Sequence, residues 1–134
     1  MQGGTPRPDA DLARQRQVVD AFVAAARGGN FDALLAVLDP DVVLRIDRGG
    51  ARPGALRIMR GAQAVAKQAA AVRAVPGLIV RRALVNGAAG IVSWLPDGRP
   101  FSVMGFTVAH GKIVEIHVLT DPERLRRLGL QPAP

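Results

Sequence analysis

Residues 100–125 read PFSVMGFTVAHGKIVEIHVLTDPERL, and this stretch decides the fold. Pro100 to Ala109 and Lys112 to Leu119 are rich in Val, Ile, Phe and Thr, residues that suit a pleated, half-buried surface. Between them His110-Gly111 forms a two-residue turn: Gly111 takes a positive φ without a Cβ clash, and His is among the less penalised residues there. Asp121-Pro122 then ends the sheet, because proline has no N–H for a ladder and biases its predecessor to extended geometry.

Upstream, the same turn chemistry recurs. Asn86-Gly87 separates Leu78–Val85 from Ala89–Leu95, and Pro96-Asp97-Gly98 separates that strand from Pro100. Consecutive hairpins make a four-strand antiparallel meander. Nearer the N-terminus, Leu12, Val18, Val19, Phe22, Val23 and Ala26 recur at three- and four-residue spacing, the stripe of an amphipathic helix ending at Gly28-Gly29. Asn30 is placed to cap a second helix running to Leu38, with Pro40 as its stop. Val42–Asp47 reads as a short strand, Arg48–Gly54 as a loop and Ala55–Met59 as extended. Gly61–Val75 is an alanine-rich helix that Pro76-Gly77 terminates. Helices followed by a meander predict an α+β domain with the helices on one face of the sheet.

The chain has 134 residues, enough for one domain with its own core. The expected layout is a linker-like leader over residues 1–10, a domain over residues 11–128 and a disordered tail over residues 129–134. With no cysteine, disulfides and thiolate chemistry are excluded. No apolar run is long enough to span a bilayer, so the expectation is a soluble cytoplasmic protein without membrane contact. The net charge of +7 suggests acidic partners. Its cations are dispersed, though, and one Trp, four Phe and no Tyr offer little for base stacking. Direct sequence-specific DNA binding is therefore not expected.

Few residues carry chemistry. Trp94, Met104, Phe106 and Val108 share strand parity and line either the core or a small-molecule cavity. Asp47 ends the first strand, either as a general base at a pocket or as a loop-entry carboxylate bonding amides near Gly49 and Gly50. His117 alternates with Ile113 and Glu115, opposite the Val114, Ile116, Val118 row. If that row faces the core, His117 lies on the outer surface of the sheet. Asp20 stands one helical turn from Arg16, the spacing of a solvated pair. His110 and His117 do not make a metal site. Ser93 and Ser102 lack the glycine-flanked turn of a hydrolase nucleophile, and no phosphate loop is present, so no cofactor is expected.

Four segments together carry a more specific signal: Gln15-Arg16-Gln17-Val18-Val19-Asp20-Ala21-Phe22, Asp39-Pro40-Asp41-Val42-Val43-Leu44-Arg45, Leu84-Val85-Asn86-Gly87 and Thr120-Asp121-Pro122-Glu123-Arg124-Leu125. The order of elements is similar to the cone-shaped nuclear transport factor 2-like, or SnoaL-like, fold, with about three helices packed on a curved antiparallel sheet. From about Asp11 to Leu128 the chain resembles the C-terminal SnoaL-like domain of one group of extracytoplasmic-function sigma factors. In that group an Asp-Gly-Gly-Gly-Lys motif follows the first strand, and Asn-Pro-Asp-Lys-Leu follows the last. Here Asp47, Gly49 and Gly50 are kept, while Arg48 stands on a glycine position and Ala51 on the lysine, followed by Arg52. Asp121, Glu123 and Arg124 stand for Asn, Asp and Lys around Pro122, with Leu125 kept.

The resemblance implies regulation rather than catalysis. Such a domain packs on the sigma core in cis and tunes engagement of RNA polymerase, here through Asp47, Arg48, Gly49, Gly50 and Arg52 with Asp121, Pro122, Glu123, Arg124 and Leu125. The alternative is a free-standing SnoaL-like enzyme of cyclase or isomerase type, or a binder of a small apolar ligand, with Asp47 and His117 as candidate catalytic groups and Trp94, Met104 and Phe106 lining the pocket. Ketosteroid isomerases and limonene epoxide hydrolases of the superfamily depend on tyrosine, which this chain lacks. Isolated copies could pair through the sheet as a homodimer.

Overall fold

The computed structural model describes residues 9–50 and 53–130. Residues 1–8 of the expected leader, Ala51, Arg52 and residues 131–134 of the expected tail lie outside the described residues. In chain order the elements are α1 (Leu12–Arg27), α2 (Phe31–Val37), β1 (Leu38–Asp47), β2 (Leu56–Arg60), α3 (Ala62–Ala70) with a 3₁₀ turn (Ala71–Ala74), β3 (Ile79–Val85), β4 (Ala88–Trp94), β5 (Pro100–Ala109), β6 (Lys112–Leu119) and α4 (Pro122–Arg127).

Local chemistry sets these boundaries. The Asp11 carboxylate accepts from the Ala13 amide at 2.9 Å and starts α1, and Asn30 Oδ1 accepts from the Ala33 amide at 3.0 Å and starts α2. The two-residue hairpin turns have positive φ at both central residues: 52° and 79° at Asn86-Gly87, 53° and 74° at His110-Gly111. These mirror-image turns match the right-handed twist of the strands. Asp9 adds a clamp to the second turn. Its carboxylate accepts from the His110 and Gly111 amides, each at 3.1 Å, and its own amide donates to Val108 O at 2.7 Å.

Six strands form one sheet in the order β2-β1-β6-β5-β4-β3. The meander is antiparallel as expected, but β1 joins it parallel to β6, with Leu44 beside Ile116 and Asp47 beside Leu119. The α+β architecture with helices over one sheet face is present, with a fourth helix beyond the three expected.

Four other expectations need correction. Strand β1 begins at Leu38 rather than Val42. Pro40 lies inside it, where the pairing with β6 shifts register between Leu38 and Val43 and β2 is not yet alongside, so no ladder bond needs its missing N–H. The helix after Gly61 is true α-helix only to Ala70 and tightens to 3₁₀ beyond. Asp20 pairs with Arg82 on β3 rather than with Arg16. Finally, the β5–β6 register shifts between Thr107 and Val108, so strict alternation fails on β6: Ile113 and Ile116 are both fully buried in the core while Glu115 faces outward.

The core lies between the helices and the inner sheet face. Val19 and Phe22 of α1, Leu34 of α2 and Val65 of α3 meet Leu38, Leu44, Phe106 and Ile116. Phe22 and Phe106 pack edge to face with centroids 5.3 Å apart. One polar side chain is threaded into this layer. Buried Gln15 donates from Nε2 to Asp9 O at 2.6 Å and accepts the Ala89 amide at 3.0 Å, tying α1 to β4 and to the segment before it.

Candidate functional site

The β1–β2 loop and the segment after β6 meet at one end of the sheet because β1 and β6 run parallel and end together at Asp47 and Leu119. The first bond of the junction continues that ladder: the Thr120 amide donates to Asp47 O at 2.9 Å. The Asp47 carboxylate then works in two directions. Oδ1 accepts the Gly49 amide at 2.9 Å, a local turn that folds the loop back on itself, and Oδ2 pairs with the Arg124 guanidinium of α4. The Gly49 amide bond is the largest cause holding the Asp47 carboxyl below its ordinary range; burial opposes it, and the Arg124 guanidinium adds to the lowering.

Gly49 is buried with φ +84°, and a Cβ there would lie 2.3 Å from Cγ of Asp121. Only glycine admits both that conformation and that approach. Asp121 in turn caps α4, accepting the Glu123 amide at 3.2 Å, with Pro122 in the first turn and Leu125 buried beneath the helix. The helix packs on β5.

Asp47, Gly49, Asp121 and Arg124 are thus brought together as one unit. Arg48 and Gly50 are exposed beside it, and Arg52 lies outside the described residues. Pro122 and Glu123 are exposed on α4, where Glu123 pairs with Arg127 at 3.0 Å. Arg48 and Arg126 are exposed and make no ion pair among the described residues. They are the cations this surface leaves available.

Asp47 and His117 share an outer groove of about 490 Å³, also lined by Arg45, Val103, Gly105, Leu119 and Arg124. His117 faces outward there and contacts Glu115. A carboxylate already committed to an amide and a guanidinium is a weak proton acceptor. Neither residue borders the second cavity, about 420 Å³, between helices and sheet. Met104 lines that cavity, whereas Phe106 packs against Phe22 in the core and borders the outer groove with Asp47 and His117. Trp94 is buried, follows Ser93 onto the opposite sheet face and borders neither cavity. Among the described residues no cluster of three His, Asp or Glu side chains offers a metal site, and no helix is long and apolar enough to cross a membrane.

Two contributors escape sequence reasoning. Thr120 is set by the parallel β1–β6 pairing, which residue patterns did not show. Helix α4 had a readable signal in Asp121-Pro122-Glu123, a cap, a first-turn proline and a first-turn acid.

The profile of the SnoaL-like domain matches residues 19–116. The chain belongs to the SnoaL-like domain family. This SnoaL-like domain is 30% identical over 132 aligned positions to "ECF RNA polymerase sigma factor SigJ" of Mycobacterium tuberculosis, covering 87% of this chain and 40% of that protein. It is 32% identical over 113 positions to "Probable ECF RNA polymerase sigma factor SigI" of the same organism, covering 84% of this chain and 37% of the relative. The domain therefore spans about two fifths of the length of the curated relatives it matches. Among solved structures, the SigJ crystal structure superimposes with a TM-score of 0.61 at 24% identity, over 87% of this chain and 45% of that one. An epoxide hydrolase of the LEH-like type from M. tuberculosis shares the fold at a TM-score of 0.55 and 19% identity, covering 87% and 89%.

Proposed function

We propose that this SnoaL-like domain is a regulatory, non-catalytic module that modulates an extracytoplasmic-function sigma factor, and hence transcription initiation, through protein contacts. Its partners in this reading are sigma-factor core regions in cis and RNA polymerase, which makes it cytoplasmic. The single observation that carries the reading is the junction of Asp47 and Gly49 with Asp121 and Arg124. Two segments 77 residues apart are joined in one surface, although neither contributes to the main core. Similarity to sigma factors across more than four fifths of the chain supplies the class of partner.

The chemistry at the junction suits docking better than turnover. Asp47 and Arg124 neutralise one another and shape the surface, while Arg48 and Arg126 project cations toward acidic groups of a partner. The test is crosslinking from photoreactive residues placed at Arg48 and at Arg126 in the sigma-factor polypeptide carrying this domain, with and without RNA polymerase. Crosslinks to sigma regions or polymerase are expected from both positions, and a control on α3 at Gln63, exposed elsewhere, should give none. Absence of crosslinks from both junction positions would remove the proposal.

A further inference from the structure

The two edges of the sheet differ in what their backbone offers. At the β3 edge guanidinium groups cover the carbonyls: Arg27 donates to Leu78 O and Arg81 to Val80 O, each at 3.1 Å. At the β2 edge two bonds bracket the ladder with β1: the Arg48 amide donates to Ala55 O at 2.7 Å, and the Gly61 amide donates to Val42 O at 2.8 Å. Bonded and non-bonded pairs alternate in an antiparallel ladder, so in this register Arg57 and Met59 spend their N–H and C=O groups on Ile46 and Leu44. Leu56, Ile58 and Arg60 turn theirs to the open side, where no strand or side chain bonds them among the described residues.

The side chains of the same three residues lie on the outer sheet face, with Ile58 beside Arg45 and Leu56 beside Asp47. Leu56 is 55% and Ile58 42% exposed, so apolar surface adjoins the free amides and carbonyls. Arg57 and Arg60 are exposed and make no ion pair among the described residues. Between Asp47 and Asp97 the sequence holds no acidic residue, so this part of the chain supplies no counter-charge. A second copy would bring two more arginines to the edge, the kind of charge that keeps edge strands from pairing with themselves. An acidic strand reverses that sign and turns repulsion into attraction.

We infer that the β2 edge takes up an extended acidic segment of another protein as an added antiparallel strand. The free groups of Leu56, Ile58 and Arg60 supply the ladder, and cross-strand pairing sets the sequence that fits. Along the added strand, from the residue opposite Arg60 to the residue opposite Leu56, the complement is acidic, unrestricted, apolar, acidic, apolar. Carboxylates then face Arg60 and Arg57, and β-branched side chains cover Ile58 and Leu56. This inference does not depend on the regulatory reading, since binding can be measured on the isolated chain.

The test is amide NMR of the whole labelled chain titrated with the end-blocked peptide Ser-Glu-Thr-Val-Glu-Val-Ser. Solvent exchange should slow at the Leu56, Ile58 and Arg60 amides and stay unchanged at Arg57 and Met59, which already bond β1. The same peptide N-methylated at its first valine keeps every charge and side chain but loses the N–H that pairs with Ile58, and should bind at least tenfold more weakly. A peptide with lysine for both glutamates should not bind measurably. Ile58→Pro removes an edge N–H that β1 does not use and should abolish binding; Ile58→Glu, which sets a carboxylate against the peptide, replaces it if that variant does not fold. Equal binding of the N-methylated peptide, binding that survives a folded Ile58 variant, or no saturable binding at millimolar concentration would each overturn the inference. So would protection of the same amides that rises with protein concentration in the absence of peptide, since the occupant would then be a second copy of the chain.

Discussion

Gly49 presses its α-carbon against the carboxylate of Asp121, so close that a methyl group on Gly49 would lie 2.3 Å from Cγ of the acid. The contact joins the loop after the first strand to the cap of the last helix, and it explains why this position has no side chain. Gly50, next along, also has positive φ but nothing within 4 Å of its would-be Cβ.

That contrast gives a paired prediction. Gly50→Ala should cost about 1 kcal/mol, the conformational penalty alone, whereas Gly49→Ala should cost roughly 2–4 kcal/mol because strain and collision add. Urea denaturation of the two variants measures the difference. Equal losses would mean the Gly49–Asp121 contact relaxes freely.

The Asp47 carboxyl should also mark the pH dependence of stability. Its folded-state pKa lies below its ordinary value of 3.8, first through the Gly49 amide and then through Arg124. The folded form therefore holds the carboxylate more strongly than the unfolded chain does. The contribution is complete above the unfolded pKa and is lost as pH falls through the folded one. Asp47→Asn should lower stability at pH 7 and flatten its fall below about pH 4. Thermal melts of both proteins from pH 7 to pH 3 check this, and parallel curves would contradict it.

The Ser93–Ser102 pair should behave as a coupled unit. Removing either hydroxyl leaves its partner buried without a bond, at about 1 kcal/mol for each single alanine variant. The double alanine variant removes both polar groups and should cost less than the sum of the singles. A double-mutant cycle in urea reads the coupling directly; strict additivity would show that the hydroxyls do not depend on one another.

Gln15 is the remaining buried polar connection. Gln15→Leu keeps the volume but leaves the Ala89 amide without its acceptor, and should cost roughly 1–3 kcal/mol. Hydrogen exchange should accelerate most at Ala89. Unchanged protection at that amide would indicate a replacement acceptor.

Much of the fold was legible because hairpin turns and helix caps are written locally. Asn86-Gly87 and His110-Gly111 fixed the meander, and Asp11 and Asn30 fixed two helix starts. The parallel partnership of β1 and β6 was not legible, since parallel pairing leaves no turn to read. The β6 bulge was equally hidden: Ile113 and Glu115 share parity in the sequence, and only the register shift sends them to opposite faces. At the site, Asp47 disclosed its loop-capping role through the glycines that follow it. Its partnership with Arg124 was invisible, because it depends on a helix placed by the parallel pairing.

The loop–tail junction is proposed as a regulatory contact surface. Its most direct test is transcription in vitro by the sigma-factor polypeptide carrying this domain, comparing the native sequence with Arg48→Glu/Arg126→Glu. Both side chains are exposed and make no ion pair among the described residues, so the melting temperature should stay within a few degrees. A severalfold change in promoter-specific transcript at unchanged stability is expected. Identical transcript yield across a titration of RNA polymerase would contradict it.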